Sequence, residues 1–538
     1  MSDRKTLFQY CYNRSPDQSG AKPVHHPVII IGAGPVGLAL AVDLAQRNVP
    51  VVLLDDADRI GEGSRAICFA KKTLEVFDRL HCAAPMLEKG VSWSVGRVFQ
   101  GESELYTFDL LPEGGHKMPA FINLQQYYVE KHLVDRADTL PLVTIRWCNR
   151  LSAVARHADH TSITVETPDG PYTLTTDWLV ACDGARSPTR TLLGLDFDGE
   201  VFDDQFLIAD VKMTADFPVE RWFWFDPAFH NGQSALLHKQ PDDIWRIDLQ
   251  LGRDADTDNE RKPEVVIPRI QRMLGHDAFT LEWVSIYKFQ CRRLDRFVHD
   301  RVVFAGDSAH QVSPFGARGA NSGVQDAQNL GWKLAAVING HAHASLIDSY
   351  NNERSEAADE NILNSTRATD FLAPHSPAEK LLRNAALSLA KHTGFAKRMV
   401  NSGRLSLPSA YTDSPLSTPD TAPWEGGIVP GAPIPDAPLK DAHGKAMYLS
   451  EALGQDFTLL TLSVSEPVAK ALADTVPDLR RIDIGRNGYH DIDGLAVDRF
   501  SLVAGAGVLI RPDGHVAARF QTLTQATVLA ALDRAKGG

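Results

Sequence analysis

Two glycine-bearing runs hold the residues best placed to do chemistry. The first is Gly306-Asp307-Ser-Ala-His310, followed by Pro314 and by Gly316-Ala-Arg-Gly-Ala-Asn321. It reads as a buried strand ending at Gly306-Asp307, a Pro/Gly loop, and a helix beginning near Asn321 whose first amides face an anion or a ring carbonyl. The second is Gly32-Ala-Gly34-Pro-Val-Gly37, between an all-apolar strand at 27–31 and a helix at 38–47. That spacing lets a backbone turn tightly, approach a pyrophosphate and pack a helix close to its strand. The next strand, 49–54, ends at Asp55, where a carboxylate holds a ribose hydroxyl pair; strand phase selects Asp55 over Asp56 and Asp58. Gly37 and Gly306 are 269 positions apart, far more than one βαβ unit of about 30 residues. The two runs therefore grip opposite ends of one extended dinucleotide.

Further polar candidates lie between them. Arg65, in Ser64-Arg-Ala-Ile67, either neutralises a pyrophosphate with its fork of donors or pairs with a surface carboxylate. Asp183 closes a buried strand at 178–182. It either caps the helix announced by Ser187-Pro188 or fixes a ligand hydroxyl.

The elements that must position these residues follow from the apolar pattern. The strand–helix–strand unit at 27–54, with the strand at 178–182, predicts a parallel sheet buried on both faces. Between about 199 and 289 the pattern changes to short β-rich runs, which predicts a separate sheet domain inserted between two parts of the first. The chain returns to the first domain at 301 and continues into long helices at 321–339 and 345–368. The expected organisation is α/β: a polar arm at 1–26; a Rossmann-like dinucleotide domain at 27–198 with 290–407; the β-rich domain at 199–289; a Pro/Ser/Thr-rich linker at 408–430; and a last unit at 431–538.

Composition narrows the function classes. With 538 residues the chain exceeds one core. Its 55 basic against 68 acidic residues, net charge -13, argue against nucleic acid or an anionic membrane as partner. The six cysteines show no CxxC pair and no regular spacing, so neither a disulfide framework nor a metal site is expected. The N-terminus has no signal-type apolar core, and a cytoplasmic protein is the expectation.

Gly32-x-Gly34-x-x-Gly37, Asp183-Gly184-Ala-Arg-Ser and Gly306-Asp307-Ser-Ala-His-x-x-x-Pro314 resemble, in order and separation, the three signature motifs of the single-component FAD-dependent aromatic hydroxylases, the p-hydroxybenzoate hydroxylase family. The likeness covers about 27–370, and the longer form is similar to the phenol hydroxylase and 3-(3-hydroxyphenyl)propionate hydroxylase subgroup. The resemblance implies FAD as cofactor, NADPH or NADH as co-substrate, and hydroxylation of a phenolic ring by O2 through a C4a-hydroperoxyflavin. It implies that Asp307 binds the ribityl chain, that Pro314 and Gly316 lie beside the reactive ring, and that Gly319, Ala320 and Asn321 offer amides to the flavin carbonyls. Gln126 matches a helix position touching the flavin or its ribityl chain, Arg65 the pyrophosphate arginine, and Asp183 a residue contacting both FAD and NAD(P)H. His310 falls inside the third motif and reads as structural. The last unit is similar to a thioredoxin-like domain; no cysteine follows Cys291, so it serves packing or homodimer formation rather than dithiol exchange. Its removal is expected to alter oligomeric state or solubility more than FAD binding.

A weakly electrophilic oxidant needs a dry, aromatic pocket with a few polar groups. The β-rich domain supplies Trp222, Trp224, His238, Arg246 and Tyr287 for it, each aromatic being either pocket lining or ordinary sheet core. His238 would polarise a phenol, or Arg246 meet a substrate carboxylate. Two other readings remain: a flavin-dependent halogenase, suggested by the partial WxWxIP-like run Trp222-Phe-Trp224-Phe-Asp-Pro227, and a non-catalytic flavoprotein partner module.

Overall fold

The computed structural model describes residues 8–538 apart from 21, 62–65, 231–232, 375, 401–404, 422, 478 and 486–487. Its first sheet is built on Val24–Ile31, whose C-terminal half is fully apolar and buried. Val51–Leu54 and then Val143–Arg146 lie on one side of it, Tyr172–Ala181 and then Val302–Phe304 on the other, all parallel. The strand expected at 178–182 is the second half of the longer Tyr172–Ala181. Its first half pairs with an antiparallel meander, Arg150–Arg156 and Thr161–Glu166, and its second half enters the parallel core.

Helices Pro35–Gln46 and Gly319–Ile338 pack against each other over this sheet. Gly323 and Gly331 permit the close approach, since β-carbons there would lie 2.6 Å from Val36 Cγ2 and 2.0 Å from Asp43 Oδ2. The expected helix start near 321 falls two residues earlier, at Gly319.

The second sheet has eight strands in the order His310–Gln311, Thr280–Arg293, Asp198–Lys212, Ile244–Leu251, Ala235–Lys239, Arg221–Phe225, Val95–Gln100, Ser103–Asp109. The boundaries expected at 199–289 were too narrow: the hairpin at 95–109 completes one edge and 310–311 the other. The hairpin is distant in sequence, and Arg221–Phe225 receives it in parallel pairing, a long-range contact that local periodicity does not encode.

The C-terminal unit has a four-stranded sheet ordered Arg480–Ile484, Thr458–Leu462, Gly507–Ile510, Val516–Phe520, with helices Glu466–Thr475 and Gln525–Ala535. Only its first pair is parallel. It docks on the dinucleotide domain through buried charge. Arg511 donates to Glu353 at 2.6 and 2.9 Å and to Asp513 at 2.5 Å, while Lys333 reaches Glu353 at 2.7 Å; all four side chains are at most 1% exposed. The described residues of the 408–430 segment form a strap over this junction, in which Tyr411 and Leu416 are buried.

Candidate functional site

The first glycine turn is shaped by close approach. Gly32 has φ +102°, and a β-carbon there would sit 2.5 Å from the carbonyl oxygen of Cys182; one at Gly37 would sit 2.1 Å from the oxygen of Gly32. Gly34 differs, because nothing lies within 4 Å of the position its β-carbon would take. It occupies the N-cap of Pro35–Gln46, which no side chain caps, so the helix N-terminus faces open space. Asp55 accepts from the amides of Ala33 at 2.6 Å and Ala57 at 2.9 Å. Burial raises its pKa against the pull of those two bonds. Asp58 instead pairs with Arg59 and Gln9.

Asp183 takes the capping role, and one of its oxygens is left over. Its Oδ2 accepts from the amide of Thr189 at 2.9 Å, alongside Ser187, which caps through Arg190 N. Its Oδ1 is buried without a hydrogen-bond partner, and burial raises its pKa. Gln126 opens the Gln126–Asp138 helix, accepts from Ala66 N at 3.1 Å and donates to Glu130 at 2.8 Å. Arg65 lies outside the described residues.

At the second run, Gly306 and Ser308 are buried while Asp307 between them is exposed. A β-carbon on Gly319 would lie 3.9 Å from Asp307 Oδ1, so the carboxylate stands beside the N-terminus of Gly319–Ile338, a helix that no side chain caps. Pro314 is exposed and Gly316, at φ +102°, is buried. Asn321 turns its side chain away from the loop amides. It ties the loop to Cys68–Ala70, accepting from Ala70 N at 2.8 Å and donating to Cys68 O at 2.9 Å and Ala317 O at 2.5 Å. His310 is wholly buried and bonds Asp326 at 2.7 Å. Asp326 also accepts from the Gly306 amide at 2.9 Å and from Arg354 at 2.5 Å. Burial opposes its charge, but Arg354 and His310 hold its pKa below the usual carboxylate range. These bonds make His310 a brace of the turn.

The second sheet faces this loop with one side only. Cross-strand registry puts Phe206, Asp210, Leu236, His238, Arg246 and Asp248 on the side that meets Phe315 and Cys68. Tyr287, paired with Phe206, shares it. Trp222 and Trp224 do not: they pair with Leu237 and Ala235 and pack with Phe217, Phe229 and Trp245 on the opposite side. Of the two readings open for them, pocket lining and sheet core, the structure gives sheet core.

The two polar candidates on the facing side are already engaged. His238 bonds Asp248 through Nε2 at 3.3 Å and has Cys68 Sγ 3.8 Å from Nδ1. Burial, then the Arg221 charge, push its pKa down to about 4, so the ring is neutral and both nitrogens are occupied. Arg246 grips Asp210 with a two-pronged bond at 2.8 and 3.0 Å. Neither the phenol-polarising role for His238 nor the carboxylate role for Arg246 survives in that form.

Comparison with known proteins settles the family. The FAD binding domain profile matches residues 25–365. This chain belongs to that family. An aromatic-ring hydroxylase C-terminal profile matches 428–537. Among FAD-domain relatives, 6-methylpretetramide 4-monooxygenase of Streptomyces rimosus is 32% identical over 528 residues, 94% of this chain and 92% of its own. The 3-(3-hydroxy-phenyl)propionate/3-hydroxycinnamic acid hydroxylase of Mycolicibacterium smegmatis is 28% identical, spanning 69% of this chain and 66% of its own. The fold is shared with the flavin-dependent monooxygenase PieE, solved with FAD and substrate, at TM-score 0.81 and 22% identity over 96% of this chain and 100% of that one. The protein is a flavin-dependent monooxygenase that hydroxylates an aromatic substrate, and FAD is its cofactor.

The residues of this FAD-domain protein fit the group. The open face of Gly34, the unpartnered Asp183 Oδ1 and the exposed Asp307 beside an uncapped helix are all features that a dinucleotide completes. One residue of the facing sheet was passed over in the sequence. Arg221 is 4% exposed; its guanidinium lies 5.1 Å over the Phe223 ring, and its Nε and Nη1 are buried without hydrogen-bond partners. Its only sequence signal is a cation at the start of an aromatic strand, where alternation puts it with Phe223 and Phe225 on the side away from Trp222.

Proposed function

We propose that the protein hydroxylates a phenolic ring with O2 and NAD(P)H, with the ring held between the Pro314–Gly316 loop and the facing side of the second sheet. The observation that carries this reading is the exposed Asp307 beside the uncapped N-terminus of Gly319–Ile338, with Pro314 exposed on the same loop. In this reading Gly32, Gly34 and Gly37 receive the pyrophosphate, Asp55 the ribose, and Asp183, Gln126 and Asp307 the hydroxyls of the linking chain. The amides of Gly319, Ala320 and Asn321 stabilise negative charge on the reduced ring. FAD, reduced by two electrons from NAD(P)H, supplies the chemistry that puts one atom of O2 into a ring C–H bond and releases the other as water. Phe206, Phe315 and Leu236 keep that side dry.

The strand–helix–strand and hairpin–helix order of the C-terminal unit supports a thioredoxin-like description. Exposed Leu381, Leu382, Leu389, Phe395 and Met399 on neighbouring helices support a homodimer. The relatives' names point to two kinds of ring, a hydroxyphenyl propionate and 6-methylpretetramide.

The test is a panel of phenols, hydroxybenzoates, hydroxyphenylpropionates and polycyclic phenols, with NAD(P)H oxidation followed and products analysed by mass spectrometry under labelled O2. At least one compound should accelerate oxidation and gain one labelled oxygen. A chlorinated product, or no hydroxylated product from any phenol, would overturn the reading.

A further inference from the structure

The facing side of the second sheet carries two charges in excess of its internal pairing. Arg246 and Asp210 neutralise each other in a two-pronged bond, and His238 is held neutral between Asp248 and Cys68. What remains is Arg221, with Nε and Nη1 buried and unpartnered, and Asp248, whose Oδ2 meets His238 while Oδ1 is buried and unpartnered. The registry places them as neighbours around one spot. His238 lies opposite Arg246, Leu236 opposite Asp248, and Leu237 opposite Trp222, the residue after Arg221. The Arg221 and Asp248 strands are separated by one strand, about 10 Å, a gap that the length of an arginine side chain largely spans. Arg221 and Asp248 act electrostatically on each other and on His238.

Two buried guanidinium nitrogens lacking acceptors and a buried carboxylate oxygen lacking a donor each cost free energy until something satisfies them. Their charges sum to zero, so a ligand that answers both must itself be neutral and present an acceptor and a donor side by side. A carboxylate would satisfy Arg221 and be repelled by Asp248. We propose that Arg221 and Asp248 are the substrate-recognition pair, and that the ring substrate carries a neutral hydroxyl–carbonyl unit, its carbonyl oxygen on Arg221 and its hydroxyl on Asp248 Oδ1. This rests on the hydroxylase reading for the site's purpose, but its measurement is binding and needs no turnover.

The experiment compares two probes on the same ring, 1-hydroxy-2-acetonaphthone and 1-hydroxy-2-naphthoate. Dissociation constants come from perturbation of the flavin absorbance of the FAD-loaded protein, cross-checked by calorimetry. The hydroxyketone should bind at least about tenfold more tightly than the carboxylate, the scale of one hydrogen bond to a charged group. Asp248→Asn should shift the ratio about tenfold toward the carboxylate, and Arg221→Met should weaken the hydroxyketone by at least about tenfold. Arg221→Lys, which keeps the charge, should recover part of that loss while FAD content and circular dichroism stay as in the wild type. Equal or tighter binding of the carboxylate, an unchanged ratio in Asp248→Asn, or binding of neither probe would overturn the proposal. Hydroxylation of phenols without the preference would leave the activity standing and remove only this inference. A clear preference with no phenol hydroxylated would do the reverse.

Discussion

Arg511→Met tests whether the C-terminal unit supports the flavin turn. Arg511 comes from the loop before Val516–Phe520, is 1% exposed, and bonds Glu353 twice and Asp513. The buried set holds two cations, Arg511 and Lys333, against two anions, Glu353 and Asp513, and is balanced. Methionine fills much of the volume but leaves two carboxylates facing one ammonium, whose pKa burial has already depressed to about 8. Removing one partner of a buried pair costs about 3–5 kcal/mol, which is roughly 10²- to nearly 10⁴-fold in the docking equilibrium. The loss reaches the cofactor through a chain of contacts. The residue after Glu353 is Arg354, which bonds Tyr411 of the strap at 2.8 Å and Asp326 at 2.5 Å, and Asp326 holds Gly306 N. The expectation from sequence, that losing the last unit would alter solubility or assembly more than FAD binding, is therefore replaced: Arg511→Met should lower the unfolding temperature and weaken FAD retention together. Thermal unfolding followed by flavin fluorescence, with limited proteolysis of the strap, measures both. Glu353→Gln added to Arg511→Met removes one stranded charge, so the double variant should be more stable than the sum of the singles predicts. A single variant within about 0.5 kcal/mol of wild type, the range of ordinary surface changes, or strict additivity in the double, would refute the reasoning.

Other expectations follow from the same geometry. Gly34→Ala should leave folding intact, since its backbone is extended and the space is open, yet abolish FAD retention; Gly37→Ala, whose β-carbon meets Gly32 O, should impair folding itself, and circular dichroism with flavin content separates the two. Asp307→Asn should weaken FAD binding by about tenfold or more, read as flavin released on dilution. His238 is neutral in the fold, with its pKa lowered from 6.5 to about 4. Its contribution is complete above pH 6.5 and is lost as the pH falls toward 4, because only the unfolded chain takes up the proton in that window. His238→Gln should flatten the acid side of the stability curve, measured by urea unfolding between pH 4 and 7; an unchanged slope would contradict the assignment.

How legible the molecule was depended on whether the signal was local. The strand–Gly-x-Gly-x-x-Gly–helix run, the Asp183-Gly184 strand end and the Gly306-Asp307 turn each sit within one element and its following loop, so spacing alone located them. The hairpin at 95–109 was missed because its partner strand begins at Arg221, and pairing over that distance leaves no trace in periodicity. For Trp222 and Trp224 the sequence leaves pocket lining and sheet core both open, because composition cannot say which side of a sheet faces the Pro314–Gly316 loop. His238 and Arg246 drew attention as polar residues in an apolar sheet, while their partners, Cys68, Asp248 and Asp210, became visible only in space.

The sequence by itself determined the dinucleotide fold, because glycine spacing and strand-end carboxylates are covalent facts of neighbouring residues, and the likeness of its three motifs to the FAD-dependent hydroxylases carried the cofactor and the class of chemistry. Tertiary structure decided which side of the second sheet meets the Pro314–Gly316 loop, which of its charges are already paired, and that a C-terminal loop reaches the helix supporting Gly306. These are sums over residues far apart in the chain, and whether a buried charge is free or engaged depends on partners that only folding brings within reach.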